Sequence, residues 1–407
     1  MHVSDYVVSL DIGTSSVKVI VGEIKNGVLN VVGIGSAESD GINKGAIVDI
    51  DLTAQSILNA VADAERMINF EIRDIFIGVS GNHINIQLSQ GVVAVLSDNK
   101  EIDRNDVERA IEASKVIVLP PNKEIIEVVP KEFVVDGLGG IKDPVGMIGG
   151  RLEVISTVIT GSMTVMHNLY RTIEKTGLHI AGFVLLSLAA GELVLSKDEK
   201  NLGIVYIDLG KGTTDISIYQ QEELVDTLVL PVGGEYITND ISIGLKTPAD
   251  AAEYVKVRYG TASINTAFED IKFRVPRIGS NFDEEFNQLD LARIIEPRIR
   301  EIFSVIISEI QRLGYTTDFP GGVVLSGGVA ATNNILTIAE EMFDTTVRVA
   351  APSYLGAKDP SFTNGVGILV YTLKKILKKP LKSGGSKSKQ GGKSMSESIK
   401  DWFKDFV

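Results

Sequence analysis

Apolar positions change their spacing along this chain, and the changes mark its elements. Residues 6–10 form an apolar run. Residues 17–24 and 28–34 are two further runs flanking Asn26 and Gly27, a dipeptide that favours a tight hairpin turn. Strands are expected in all three. Ile57, Val61, Ala64 and Ile68 then recur at helical spacing, which predicts a helix over 53–69. Residues 75–79 read as a short buried strand. Over 83–160 the texture shifts to Val, Ile and Gly, with one helix signal where Asp103 leads into Val107 and Ile111, and a break at Pro120 and Pro121. This stretch reads as a small α+β insertion. A helix is expected over 163–176, ending at Gly177. Residues 203–230 repeat the strand–turn–strand texture of the start. Helices are expected near 234–246, 248–259 and 290–313, the last carrying Ile295, Ile299, Ile302, Ile306 and Ile310 on one face. Val323, Val324 and Leu325 read as a buried strand, and 364–378 as a helix. Residues 380–394, rich in Lys, Gly and Ser, read as a flexible linker.

The last residues regain apolar content. On a helix over 395–407, Ile399, Trp402, Phe403 and Phe406 fall on one face, flanked by Lys400 and Lys404. Such a helix is too short to span a bilayer but suits its interface plane. Docking on the protein's own body or on a partner remains the alternative, and the long linker disfavours the first.

The chain has 407 residues, room for two to four structural units. Hydrophobic residues are 44% and charged residues 23%, ordinary for a globular protein. Aromatics are only 6%, so the core must be aliphatic. No apolar stretch approaches the about 18 residues of a spanning helix, and no secretory signal is visible at the start. Cysteine is absent, which excludes disulfides and thiol chemistry. Four scattered His offer no metal-ligand spacing. The net charge is −13, unevenly spread: from Lys374 onward ten Lys face Glu397, Asp401 and Asp405. The acidic body disfavours nucleic acid. The basic tail suits an anionic lipid membrane.

An internal repeat carries the chemistry. Asp11, Ile12, Gly13, Thr14, Ser15 and Ser16 follow one apolar strand. Asp208, Leu209, Gly210, Lys211, Gly212, Thr213, Thr214 and Asp215 follow another. Asp11 and Asp208 lie 197 residues apart. Two such hairpins facing each other offer backbone N–H groups and hydroxyls to a di- or triphosphate. An Asp at each strand end can hold Mg²⁺ through waters. The Walker pattern does not occur. A tight turn using Gly and Thr is the bland alternative for either motif alone. Gly327, Gly328 and Val329 end a buried strand in a form that lets backbone approach a planar base. Gly233, Gly234 and Glu235 open an expected helix whose start favours anions.

The order of these pieces resembles the actin, sugar-kinase and chaperone ATPase superfamily. Within it the chain is similar to the FtsA family of bacterial cell-division actin homologues: the first hairpin, the α+β insertion, and the linker ending in a short amphipathic helix all match. The resemblance implies an α/β actin-like ATPase fold of two duplicated ribonuclease-H-like lobes. Subdomain 1A would take 1–82 and 161–195, subdomain 1C the insertion 83–160, subdomain 2A 196–232 and 316–373, and subdomain 2B 233–315. It implies ATP and Mg²⁺ between the lobes, Asp11 and Asp208 acting on metal and water, and Lys18 neutralising phosphate. It also implies that Glu253 and Lys256 contact the nucleoside, although a solvated helical pair is the plainer reading of those two. The position where active ATPases of the superfamily carry a water-orienting Gln or Glu falls on Ser187, with Glu192 further along a helix, so hydrolysis is expected to be slow.

The resemblance further implies a polymer that binds the C-terminal peptide of FtsZ through residues 233–315. Candidate cations there are Arg274, Arg277, Arg293, Arg298 and Arg300. Later cell-division proteins would follow as partners, on the cytoplasmic face of the membrane at the septum. A pilus-type or MreB-like assembly ATPase, or a sugar or acid kinase of the superfamily, stands as the alternative. The tail argues against the pilus type and the insertion against MreB.

Overall fold

The computed structural model describes residues 5–25, 27–316 and 318–378. The linker over 380–394 and the amphipathic segment with Ile399, Trp402, Phe403, Phe406, Lys400 and Lys404 lie outside the described residues, as does Asn26. The chain divides into two compact units, one of residues 1–80 with 172–407 and one of residues 81–171.

The larger unit begins with strands β1 (Asp5–Ile12), β2 (Ser16–Lys25) and β3 (Val28–Glu38), then a two-residue-looped hairpin of β4 (Ile42–Asn43) and β5 (Ala46–Ile47). Helix α1 (Ile50–Ile68) follows, started by Asp49, whose carboxylate accepts from the N–H groups of Asp51 and Leu52. Strand β6 (Asp74–Val79) leads into the smaller unit. There β7 (Asn85–Ala94), β8 (Lys123–Val135), β9 (Leu138–Ile141) and β10 (Arg151–Ser162) form a sheet of order β7-β10-β8-β9, and helix α2 (Arg104–Ser114) joins β7 to β8. Asp103 and Asp106 cap α2 reciprocally. Its underside packs Ala110 with Phe133, Leu152 and Val154.

Helix α3 (Met163–Thr176), β11 (His179–Leu185), α4 (Leu186–Val194) and α5 (Lys197–Leu202) carry the chain onward. The second half opens with β12 (Ile204–Leu209), β13 (Thr214–Gln220) and β14 (Glu223–Leu230). Helices α6 (Gly234–Leu245) and α7 (Ala249–Tyr259), strands β15 (Lys272–Pro276) and β16 (Asp283–Asn287) and helix α8 (Gln288–Arg312) come next. Strand β17 (Val323–Ser326), helix α9 (Ile335–Phe343), strand β18 (Val347–Val349) and helix α10 (Thr363–Lys378) finish the described chain. In α8 the five expected isoleucines are all buried. Each is worth about 1.5–3 kcal/mol against exposure. Helices α5 and α9 and the β4–β5 hairpin show why short elements escape a periodicity reading: they hold too few turns or pairs to set a period.

Within the larger unit the halves repeat. The first sheet runs β3-β2-β1-β6-β11 and the second β14-β13-β12-β17-β18, five strands each. In both, three antiparallel strands continue into two parallel ones. Between the sheets two helices cross, each lying on the other half's sheet. Helix α4 follows the first sheet, yet Tyr219 Oη of the second donates to the Ser187 carbonyl, 2.5 Å away. Helix α10 follows the second sheet, yet its Val366, Ile368 and Leu369 share a core with Val7, Ile20 and Phe76 of the first. The crossing is tight. A methyl at Gly367 would stand 2.7 Å from the Ala189 carbonyl oxygen, inside van der Waals contact. The functional loops sit at the strand ends beside this crossing.

Candidate functional site

The two repeated hairpins have the same internal geometry. Gly13 N–H donates to the Ser16 carbonyl at 3.2 Å, and Gly210 N–H to the Thr213 carbonyl at 2.9 Å. Asp11 pairs in register with Lys18, and Asp208 with Asp215. Side chains opposite each other on antiparallel strands share a face, so each Asp has a charged neighbour across its ladder. The hairpins also meet at their tips. A methyl at Gly212 would lie 2.7 Å from Thr14 Cγ2. Only a residue without a side chain permits this approach.

Their hydroxyls are not equivalent. Thr14 Oγ1 accepts from Gly45 N–H at 3.2 Å. Ser15 is exposed. Thr214 is fully buried and its hydroxyl donates to the Val232 carbonyl at 2.8 Å, so it braces the loop ahead of α6. That loop grips the second hairpin in turn. Gly234 N–H donates to the Gly210 carbonyl at 2.9 Å and Glu235 N–H to the Lys211 carbonyl at 2.8 Å. The start of α6 therefore spends two of its free donors on the hairpin. Gly233 allows it, since a methyl there would stand 2.6 Å from the Lys211 oxygen.

Three carboxylates gather below the tips. Burial raises Asp11 to about 6; Lys18 opposes the rise and Asp208 adds to it. Burial likewise raises Asp208, against a hydrogen bond from Asn364 and the charge of Lys18. Burial, then repulsion from Asp208 and Asp11, raises Asp215 to about 7 despite hydrogen bonds from Ser80 and Thr213. Oδ1 of Asp215 is buried without a hydrogen-bond partner. Crowded carboxylates with an unsatisfied oxygen attract a cation or a proton. Lys18 stands at the edge, its ammonium 2.5 Å from the Ser361 carbonyl and 5.0 Å from the Phe362 ring centre. Asn364 Nδ2 donates to Asp208 Oδ2 at 2.6 Å from the first turn of α10. The positive end of that helix dipole favours the charged forms.

Behind the second hairpin a further group converges. Lys256 Nζ donates to Glu253 Oε2 at 2.6 Å, to Thr238 Oγ1 at 2.8 Å and to the Gly234 carbonyl at 3.1 Å. Thr238 also donates to Glu253. Burial lowers the Lys256 pKa, against the pull of Glu253. Val329 lies against Gly234, where a methyl would meet Val329 Cγ2 at 2.7 Å. Gly327 has φ +86°, and a methyl there would stand 2.5 Å from the Leu209 carbonyl oxygen. Glycine is the residue that tolerates this conformation. Beside Gly328 the space is open.

The fold thus gathers both hairpins, Lys18, Glu253, Lys256 and residues 327–329 in one region of the larger unit. Ser187 is elsewhere engaged: it is buried and its hydroxyl lies 2.9 Å from Thr227 Oγ1. Glu192 is held by Lys200, 3.1 Å away, and by Lys374, which together keep its carboxyl below the usual range despite burial. The candidate arginines are spread over several ion pairs: Arg274 with Glu285, Arg277 with Glu284, Arg293 with Asp290, Arg298 with Asp240 and Arg300 with Glu296 and Glu341. In the sequence Asp215 is marked only as the end of a motif, and Ser80 and Asn364 are not marked at all. The match of Asp215 to Lys18 at the same 197-residue spacing was the available signal. For Ser80 and Asn364 there was none, because a lone polar residue carries no period. Among the described residues no group of three or more His, Asp or Glu forms a metal cage, and no helix is long and apolar enough to cross a membrane.

Comparison with known proteins agrees with this geometry. Residues 205–367 match the family described as "Cell division protein FtsA", and residues 81–160 match "SHS2 domain inserted in FTSA". The chain is 48% identical over 371 residues to the cell division protein FtsA of Bacillus subtilis, covering 91% of this chain and 84% of that one. Among solved structures it is similar to a chain of the PilM-PilN type IV pilus biogenesis complex, with TM-score 0.61, 14% identity and coverage of 90% and 98%. It is also similar to MreB5 of Spiroplasma citri bound to ADP, with TM-score 0.56, 13% identity and coverage of 92% and 98%. At those identities the two structures establish an actin-like fold and nothing finer. The duplicated lobes, the inserted unit and the identity to curated relatives lead to one conclusion: the chain belongs to the FtsA family of cell-division proteins.

Proposed function

We propose that this chain binds ATP with Mg²⁺ between its paired hairpins, polymerises at the division septum, and tethers FtsZ to the cytoplasmic face of the membrane. The observation that carries the nucleotide part is the contact of Thr14 with Gly212 above three crowded carboxylates. Residues 14–16 and 211–213 would receive the phosphates on backbone N–H groups and hydroxyls, with the Gly13 and Gly210 N–H groups closing the turns. Lys18 would neutralise part of their charge. Asp11, Asp208 and the unsatisfied Oδ1 of Asp215 fit a hydrated Mg²⁺, an ion that keeps most of its own waters and so needs no protein cage. The metal would offset phosphate charge. Lys256, Glu253 and Val329 would border the nucleoside, with the open space beside Gly328 for its base.

Hydrolysis would be slow. The Ser187 hydroxyl is committed to Thr227 and Glu192 to two lysines, so neither orients an attacking water. Without that group the transition state is poorly stabilised. ATP would act mainly as a control on assembly.

Residues 395–407 would anchor the polymer to anionic lipid. One short helix binds weakly, so polymerisation would supply avidity. FtsZ would bind through its C-terminal peptide on residues 233–315, and later cell-division proteins would join the assembly. The test is electron microscopy on an anionic lipid monolayer. Filaments should form on the lipid with ATP and Mg²⁺, be sparse without nucleotide, and leave the lipid when 395–407 are removed. Equal lipid coverage after truncation removes the anchor role; equal filaments without nucleotide remove the control by ATP.

A further inference from the structure

The β4–β5 hairpin has no place in the reading so far. Its loop is two residues, Lys44 and Gly45, with φ of +47° and +76°. Positive φ at both central positions is the geometry that suits a two-residue hairpin, and Gly, Asn or Asp normally occupy it. Lysine in the left-handed region is unfavourable. A strained residue on an exposed tip, kept where Gly or Asn would cost less, raises the question of what its side chain does.

Its surroundings answer. Gly45 N–H donates to Thr14 Oγ1 in the first hairpin, at 3.2 Å. On the other side a methyl at Gly45 would touch Thr213 Cγ2 of the second hairpin, at 3.4 Å. The loop therefore lies against both phosphate hairpins. Lys44 Nζ reaches across to the second half and lies 5.7 Å from the ring centre of Tyr236, in the first turn of α6. The guanidinium of Arg298 lies over the same ring, also at 5.7 Å. Arg298 is itself fixed by two hydrogen bonds to Asp240, at 2.5 and 2.9 Å. Tyr236 is thus a held platform, and Lys44 a cation placed on it by the turn.

We propose that the β4–β5 hairpin is a clasp across the paired phosphate hairpins, with Lys44 as its positioning residue, and that it slows nucleotide release. The proposal rests on the nucleotide reading above. A nucleotide gripped between the two hairpins leaves when they part. The Lys44–Tyr236 contact spans the same gap, so it must break before the hairpins can part and adds to the barrier of release.

The test is stopped-flow release of a fluorescent ATP analogue, with Mg²⁺, from the full chain. Lys44→Gln should accelerate release about two- to five-fold, the range an exposed cation–π contact implies. Lys44→Arg should restore slow release. Tyr236→Leu should match Lys44→Gln, and the double variant should release no faster than either. Lys44→Gly separates the clasp from general stability: relieving the turn should leave the nucleotide-free denaturation midpoint equal or higher while release still quickens. Release from Lys44→Gln at the parental rate overturns the clasp, as does Lys44→Arg releasing as fast as Lys44→Gln. If the parental chain captures no analogue at all, the nucleotide reading itself fails and the clasp falls with it, an outcome seen in every variant alike.

Discussion

Lys18 and Asp215 hold the same place in the two halves of the chain, one paired across its ladder with Asp11 and the other with Asp208. Two copies of one hairpin have thus diverged at a single register position into opposite charges. The first half offers an ammonium beside its carboxylate. The second offers another carboxylate with an oxygen left unsatisfied. That asymmetry suits a ligand that is an anion on one side and carries a cation on the other.

The same asymmetry costs the fold stability. An acid whose native pKa is raised is penalised when ionised. For Asp215, raised to about 7, and Asp11, raised to about 6, the penalty is full at pH 8, fades as pH falls through 7 and 6, and is gone below the ordinary 3.8. Asp215→Asn should therefore stabilise the nucleotide-free chain by about 1–2 kcal/mol at pH 8, and the gain should shrink by pH 5. His83, held below its usual range by burial and Lys123, loses stability as pH falls. The difference between variant and parent in urea denaturation is therefore the quantity to follow. A gain that grows toward pH 5 contradicts the assignment. The same variant should weaken binding of ATP with Mg²⁺ more than ATP with excess chelator, read by calorimetry.

The crossing of α4 and α10 leaves no room for a side chain at Gly367. Because its nearest neighbours are backbone atoms of Ala189 and Ala190, neither can swing aside. Gly367→Ala should cost about 1–3 kcal/mol, seen as a lower denaturation midpoint. An unchanged midpoint would mean that the two helices separate without penalty.

Lys256 Nζ is held by the Gly234 carbonyl, Thr238 and Glu253, behind the second hairpin. Lys256→Met should therefore weaken ATP binding by about 1–3 kcal/mol, the cost of a buried charge-assisted group, while leaving affinity for inorganic tripolyphosphate nearly intact. Equal losses for both ligands would move Lys256 to the phosphate end.

The chain's own patterns determined much of this. Helices α1, α3, α6, α7, α8 and α10 and the strands of both sheets other than β11 and β18 follow from local periodicity, because burying one face sets the spacing of apolar residues. Asp11 and Asp208, with their glycines, stand out because the chain repeats itself, and a repeat is visible without coordinates. Tertiary structure decided what no local pattern encodes. It set which sheet α4 and α10 lie on, since either helix has an apolar face that fits a sheet. It brought Ser80, Asn364 and Lys44 beside the hairpins from strand end, helix start and turn. And it removed Thr214 and Ser187 from the pool of free hydroxyls, because a hydroxyl's partner depends on what folding places next to it.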